Sequence, residues 1–251
     1  MRRFAALAAL ASVLLAAPAH AAAERGVAFA SASGEPIRGR LAAPEGVGPF
    51  PAVVLLHSCL GLPSNRRAIE AALADSGFVA LFVDEFSDRG LSETCSVDFP
   101  RLLPDAFGAL AFLAARPEVD PRRIAVVGFS QGGDGALAIA AHPSGANGLA
   151  FRAAAAFYPP CANEAGERLA IPTLVVVGAA DEVTPAADCR RLAQGQTDMR
   201  LSVLPRAGHC FDDPAFAGGK VMLGMTLHYD PAAARRAMAE LTAFLRETLA
   251  R

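Results

Sequence analysis

Six apolar runs of strand length recur along the chain: "PAVVLLHS" (51–58), "FVALFVD" (78–84), "RIAVVGF" (123–129), "AAAAFYP" (153–159), "TLVVVGA" (173–179) and "RLSVLP" (200–205). They are continuous rather than alternating, which is the pattern of strands covered on both faces. Amphipathic stretches of helical period fall near 65–76, 101–116, 131–142, 185–195 and 231–249. Alternation of such strands with helices implies parallel crossovers, which are right-handed almost without exception. Two further strand candidates, "GVAFAS" (26–31) and "IRGRLAA" (37–43), are joined by the turn-like "ASGEP" and read as an antiparallel edge hairpin. The expected fold is a doubly wound, mostly parallel α/β sheet of about eight strands, one domain over residues 22–251.

The first 21 residues are set apart from that domain. "MRRFAALAALASVLLAAPAHA" has two arginines, an apolar run and a small-residue end at Ala19-His20-Ala21, the layout of a secretory signal peptide. The apolar run from Phe4 to Ala17 is shorter than the ~20 residues a spanning helix needs. No cysteine follows it closely, so no membrane anchor is expected. Cleavage near Ala21 predicts a periplasmic or secreted protein. Loss of Arg2 and Arg3 with no acid moves the formal charge from −2 to −4. No basic tract suggests nucleic acid or an anionic membrane as a partner.

The third of the six runs leads into "GFSQGG". G-x-S-x-G between a strand and a helix is the nucleophile elbow, here Gly128-Phe129-Ser130-Gln131-Gly132. The sharp turn lifts the serine hydroxyl out of the sheet end, and side chains two positions either side would meet neighbouring backbone. The plainer alternative is a serine helix cap in a glycine-rich turn. If the elbow forms, the Gln131 amide opens the following helix and points at any oxyanion made at Ser130.

A serine hydroxyl needs a base. His142 closes the elbow's own helix and faces the wrong end of the sheet, and His228 stands ahead of the last helix. His57 ends a strand and suits either the site's lining or a brace for its loop. His209, in "RAGHCFDDP", follows a strand at the correct end and comes after the nucleophile, so it is the expected base. Asp181 in "GAADEVTP" leaves the next-to-last strand and is the expected acid. Glu182 is offset by one residue, and Asp212 and Asp213 follow the base too closely. "LLHSCLGL" offers a second oxyanion amide, most naturally that of Cys59.

With "LLHSCLGL", "FVDEFSDRG", "GFSQGG", "GAADEVTP" and "GHCFDDP" in this order, the chain resembles the dienelactone hydrolase family over roughly residues 35–249. The resemblance implies a triad of Ser130, Asp181 and His209 with oxyanion amides from Cys59 and Gln131. It departs in two places. The enzymes that name the family use a cysteine nucleophile, and they carry an activating glutamate near the position of Ser58. Serine without that glutamate fits an ordinary serine mechanism and counts against dienelactone itself. Arg89 lies where the family has a substrate-side arginine, and pairing with a substrate carboxylate stands beside the alternative of a solvated loop arginine.

Only "PCANEAGERLAIP" separates the sixth and seventh strands, too little for a cap domain. A shallow pocket with short loops and a small or flexible substrate are expected. Five cysteines in an exported chain suggest disulfides with one thiol left over. Neighbouring strands favour Cys59–Cys95 and Cys161–Cys189, with Cys95–Cys161 as the rival and Cys210 free. No metal-ligand spacing is present, and no metal or cofactor is expected. The leading reading is a serine hydrolase of small-molecule carboxylic esters or lactones. A serine peptidase or acyltransferase, or a non-catalytic binding protein on the same fold, are the alternatives.

Overall fold

The computed structural model describes residues 24–97 and 102–250. The expected signal peptide, residues 1–21, lies outside the described residues. Eight strands make the main sheet: β1 (Arg25–Ala30), β2 (Pro36–Ala42), β3 (Phe50–Leu56), β4 (Val79–Asp84), β5 (Val119–Phe129), β6 (Ala153–Phe157), β7 (Thr173–Gly178) and β8 (Met199–Leu204). Their order is β1-β2-β4-β3-β5-β6-β7-β8. The β1–β2 and β2–β4 pairs are antiparallel and the rest parallel. The edge hairpin and the parallel body agree with the expectation from the apolar runs.

Continuous apolar strands are explained by what covers them. Successive side chains on a strand point to opposite faces, so Val54, Leu56 and Val126 join one core and Val53, Leu55 and Val127 the other. The first core is closed by α2 (Leu102–Ala114), α3 (Gln131–Ala141) and α4 (Ala186–Ala193), through residues such as Leu110, Leu137 and Leu192. The second is closed by α1 (Arg66–Asp75) and α5 (Pro231–Leu249), through Leu73, Leu241 and Leu245. β8 departs from the pattern. Among the described residues it has a neighbour on one side only, and most of its side chains are half-buried.

The chain runs outward from β3 to β4, then crosses back over β3 to lay down β5. Ligand crevices in open α/β sheets form at such switch points, beyond the carboxyl ends of the strands. Here the register pairs Leu56 with Gly128, so the loop leaving β3 and the turn leaving β5 emerge side by side.

Residues 158–172, between β6 and β7, carry turns and no helix or strand. A different insertion changes the pocket. Between His209 and α5 the chain forms a small hairpin, β9 (Lys220–Met222) and β10 (Met225–Leu227), that sequence reading did not anticipate. The expectation of short loops alone is therefore corrected. α5 then starts cleanly, because the Asp230 side chain accepts from the Ala232 and Ala233 amides and Pro231 opens the first turn. Such a cap contributes about 1 kcal/mol.

Candidate active site

Ser130 sits at φ 52°, ψ −111° between β5 and α3, a backbone conformation that L side chains rarely adopt. The turn is tight enough that a Cβ on Gly128 would lie 1.8 Å from Gly132 O, and one on Gly132 would lie 2.3 Å from Leu56 O. Glycine at both positions is thus a packing requirement. The Ser130 amide is spent on Phe157 O at 2.9 Å, which ties the elbow to β6.

Ser130 Oγ lies 3.0 Å from His209 Nε2, and His209 Nδ1 lies 2.8 Å from Asp181 Oδ2. All three residues are buried. Asp181 Oδ1 also accepts from the amides of Val183 and Thr184, both at 2.9 Å. A carboxylate so surrounded by donors is an acceptor toward the ring, so His209 carries its proton on Nδ1. Nε2 is left to accept from the serine hydroxyl, the tautomer in which an imidazole can take that proton. Glu182 is exposed, which leaves Asp181 as the carboxylate on this loop.

The residues after His209 hold it in place. Tyr158 Oη donates to Asp212 Oδ1 at 2.6 Å, and the tyrosine ring meets the imidazole edge-on with centroids 4.8 Å apart. Asp213 accepts from Ser64, two residues ahead of α1, through both its hydroxyl and its amide. Asp212 and Asp213 therefore fasten the base's loop to α1 and β6. Tyr158 and Thr184 were missed by sequence reading; the available signal was a threonine three residues after the acid, the spacing of a local turn.

The loop after β3 places Cys59 beside the elbow. Among the described residues, neither the Cys59 amide nor that of Gln131 donates to another protein group. Both belong to backbone that is held firmly. Thr94 donates its amide to Cys59 O at 2.8 Å and its hydroxyl to Gln131 Oε1 at 2.7 Å. Cys59 is bonded to Cys95, and Cys161 to Cys189, while Cys210 is a buried free thiol. Burial pushes the Cys210 thiol well above its ordinary pKa.

The two disulfides close loops of 36 and 28 residues, so either should stabilise the fold by about 4 kcal/mol on loop entropy alone. Their kinetic effects should differ. Cys95→Ser is expected to lower kcat about tenfold by freeing the Cys59 loop, whereas Cys161→Ser should lower the melting temperature and leave kcat near wild type. Steady-state kinetics beside thermal unfolding checks this.

Two sequence expectations need correction. The Arg89 guanidinium donates to Asp105 through both Nη1 (2.6 Å) and Nη2 (3.0 Å), and to Glu35 and the Glu85 carbonyl. It is committed to the protein's own acceptors and is not presented to a substrate carboxylate. His57 is buried to 1% exposure beneath the Cys59 loop, so it does not line the pocket. Burial lowers its pKa to about 4. With the ring neutral at pH 7, its 3.5 Å contact with the Glu85 carboxyl is not an ion pair, and burial pushes that carboxyl well above its ordinary value.

A neutral buried histidine makes stability pH-dependent. As pH falls from about 6.5 toward 4, the unfolded chain gains a proton that the folded protein refuses. The wild type should lose roughly 2–3 kcal/mol through this residue between pH 7 and 4.5. Denaturant unfolding at the two pH values should show a smaller loss for His57→Asn.

A cleft of about 560 Å³ adjoins the elbow, lined by Leu60, Leu62, Phe129, Tyr158, Phe216 and Met222 among others. It is mainly apolar, and the hairpin supplies one wall. Lys220, the chain's only lysine, stands at its edge. No group of three or more His, Cys, Asp or Glu among the described residues is placed to hold a metal ion.

This sheet, with a serine at a strand–helix elbow and a histidine and carboxylate on later loops, defines an α/β-hydrolase. The family model for the dienelactone hydrolases matches residues 37–249, and the chain belongs to the dienelactone hydrolase family. A Methylorubrum extorquens protein provisionally named a carboxymethylenebutenolidase is 28% identical over 193 residues, covering 68% of this chain and just under two thirds (66%) of that protein. A Bradyrhizobium protein provisionally named a 2-oxo-3-(5-oxofuran-2-ylidene)propanoate lactonase is 27% identical, covering 72% of this chain and 81% of its own. Among solved structures, a dienelactone hydrolase-like promiscuous phosphotriesterase from metagenomic libraries superposes with a TM-score of 0.74 at 26% identity, over 91% of this chain and 99% of that one.

Proposed function

We propose that the protein is a periplasmic or secreted serine hydrolase that cleaves small-molecule carboxylic esters or lactones through an acyl-enzyme. The observation that carries this reading is the continuous Ser130–His209–Asp181 hydrogen-bond chain beside two uncommitted amides. Ser130 attacks the substrate carbonyl as His209 takes its proton, and Asp181 holds the resulting imidazolium. The amides of Cys59 and Gln131 receive the developing oxyanion, the latter at the positive end of α3. His209 returns the proton to the leaving alcohol, and water then repeats the sequence on the acyl-enzyme. For a lactone the leaving alcohol stays attached to the acyl group, and the product is a hydroxy acid.

The family and the lactonase relative support the ester or lactone class. The apolar cleft supports an acyl or alcohol group of modest size. The test is labelling of the mature protein by a fluorophosphonate, followed by a screen of p-nitrophenyl esters and simple lactones. Wild-type labelling that Ser130→Ala abolishes is the expected result, with turnover of the butyrate well above that of the palmitate. Absence of labelling in folded, oxidised protein would remove this reading. Export is tested separately, by sequencing the N-terminus of the exported protein, which should begin at Ala22.

A further inference from the structure

We infer that His57 is a positioning residue for the oxyanion hole, setting the direction of the Cys59 amide through a hydrogen bond to the Ser58 carbonyl. This inference rests on the serine-hydrolase reading above and assigns a task to a histidine that does not touch substrate.

The argument starts from the ring's two nitrogens. The Glu85 backbone N–H approaches His57 Nε2 at 3.3 Å, and a backbone N–H can only donate, so Nε2 is the acceptor. The proton of the neutral ring is therefore on Nδ1, which donates to Ser58 O at 2.8 Å. The tautomer follows from its partners.

The next step is peptide geometry. In a planar trans peptide the carbonyl oxygen and the amide hydrogen point in opposite directions. Ser58 C=O and Cys59 N–H belong to one such unit. Drawing the carbonyl toward His57, beneath the loop, turns the Cys59 N–H away from it, toward the side on which the elbow stands. The same carbonyl also accepts from the Gly61 amide at 2.9 Å, and the following peptide is fixed by the Thr94 amide on Cys59 O. Both peptide planes that meet at the Cys59 Cα are thus held, and Cys59 N–H keeps no protein acceptor among the described residues.

The ring itself has little freedom. Phe86 packs edge-on against it with centroids 4.4 Å apart. The Glu85 carbonyl is gripped by Arg89, which Asp105 on α2 anchors by two hydrogen bonds. A chain of contacts therefore runs from α2 through Arg89 and the Glu85 backbone to His57 and the oxyanion peptide. Arg89 belongs to the support of the site.

Three variants separate positioning from simple packing. Asn places an N–H donor near the Nδ1 position, Gln places one nearer Nε2, and Ala places none. His57→Ala and His57→Gln are expected to lower kcat on a p-nitrophenyl ester by ten- to a hundredfold with KM within threefold, since a displaced oxyanion donor acts on the transition state. His57→Asn should recover most of that loss. Binding of a trifluoromethyl ketone, which forms the oxyanion on Ser130, should weaken in parallel with kcat, while binding of the product acid stays constant. A His57→Ala protein with wild-type kcat overturns the inference. So does a folded His57→Asn protein whose kcat is reduced by tenfold or more, and that variant decides the question if His57→Ala does not fold. A wild-type protein that neither turns over esters nor labels with fluorophosphonate would instead overturn the hydrolase reading itself.

Discussion

Replacing Ser130 with alanine should lower kcat on any ester the protein turns over by about 10⁶-fold, to the level left by binding and the oxyanion amides alone. The removed Oγ lies 3.0 Å from His209 Nε2, and among the described residues no other hydrogen-bond partner of that nitrogen remains for the base to activate. Asp181→Asn should cost about 10⁴-fold for a different reason. The amide would keep the acceptor role toward the Val183 and Thr184 amides with one oxygen. Its nitrogen could then offer only donors to His209, reversing the tautomer and placing a proton on Nε2, where Ser130 needs an acceptor. The circular dichroism spectrum and melting point of Ser130→Ala should match the wild type, which isolates chemistry from folding. Progress curves on p-nitrophenyl butyrate, with fluorophosphonate labelling beside them, measure both losses.

The second large effect falls on folding. Gly132→Ala would push a methyl group to 2.3 Å from Leu56 O and 2.6 Å from His57 O, both backbone atoms of the strand end beside the elbow. No rotamer relieves that contact, so β3, the Cys59 loop or the elbow must move. A loss above 4 kcal/mol is expected, in the range reserved for a few specific mechanisms. For a chain of this size that is a fall of about 10–15 °C in melting temperature. Gly148→Ala makes the control. Gly148 has φ +74° with nothing within 4 Å of an added Cβ, so the change costs only backbone strain of about 1–2 kcal/mol. A melting point for Gly132→Ala no lower than that of Gly148→Ala would show that the elbow has slack the geometry does not suggest.

Much of this arrangement can be read from the chain before any coordinates. Continuous apolar strands with helices between them leave few architectures, and the order serine, acid, histidine selects three loops at one sheet end. The two cysteine pairs follow from the same strand order, since β3 and β4 are adjacent and so are β6 and β7. The fate of Arg89 was not legible. Its decisive partner, Asp105, lies on α2, sixteen residues further along the chain, and nothing in local spacing marks that contact. His57 was ambiguous because a histidine at a strand end can turn toward the crevice or beneath the loop, and packing against Phe86 decides. The β9–β10 hairpin escaped for another reason. Its strands are three residues long, and "KVMLGMT" shows no clean alternation because most of its side chains remain outside the core.

That hairpin separates two demands that most active-site segments must meet together. Within Lys220–Leu227 only Leu227 is fully buried, while Val221, Met222 and Leu223 are exposed and Met222 and Leu223 also edge the cleft. Substitutions at its tip reshape the cleft wall but draw almost nothing from the two cores. Mutations elsewhere around the cleft, at Phe129, Tyr158 or Phe216, must satisfy folding first. Divergence in substrate preference therefore has an inexpensive route here. Duplicated copies of this gene can drift at a few surface positions, keep their folding intact, and arrive at differently shaped clefts.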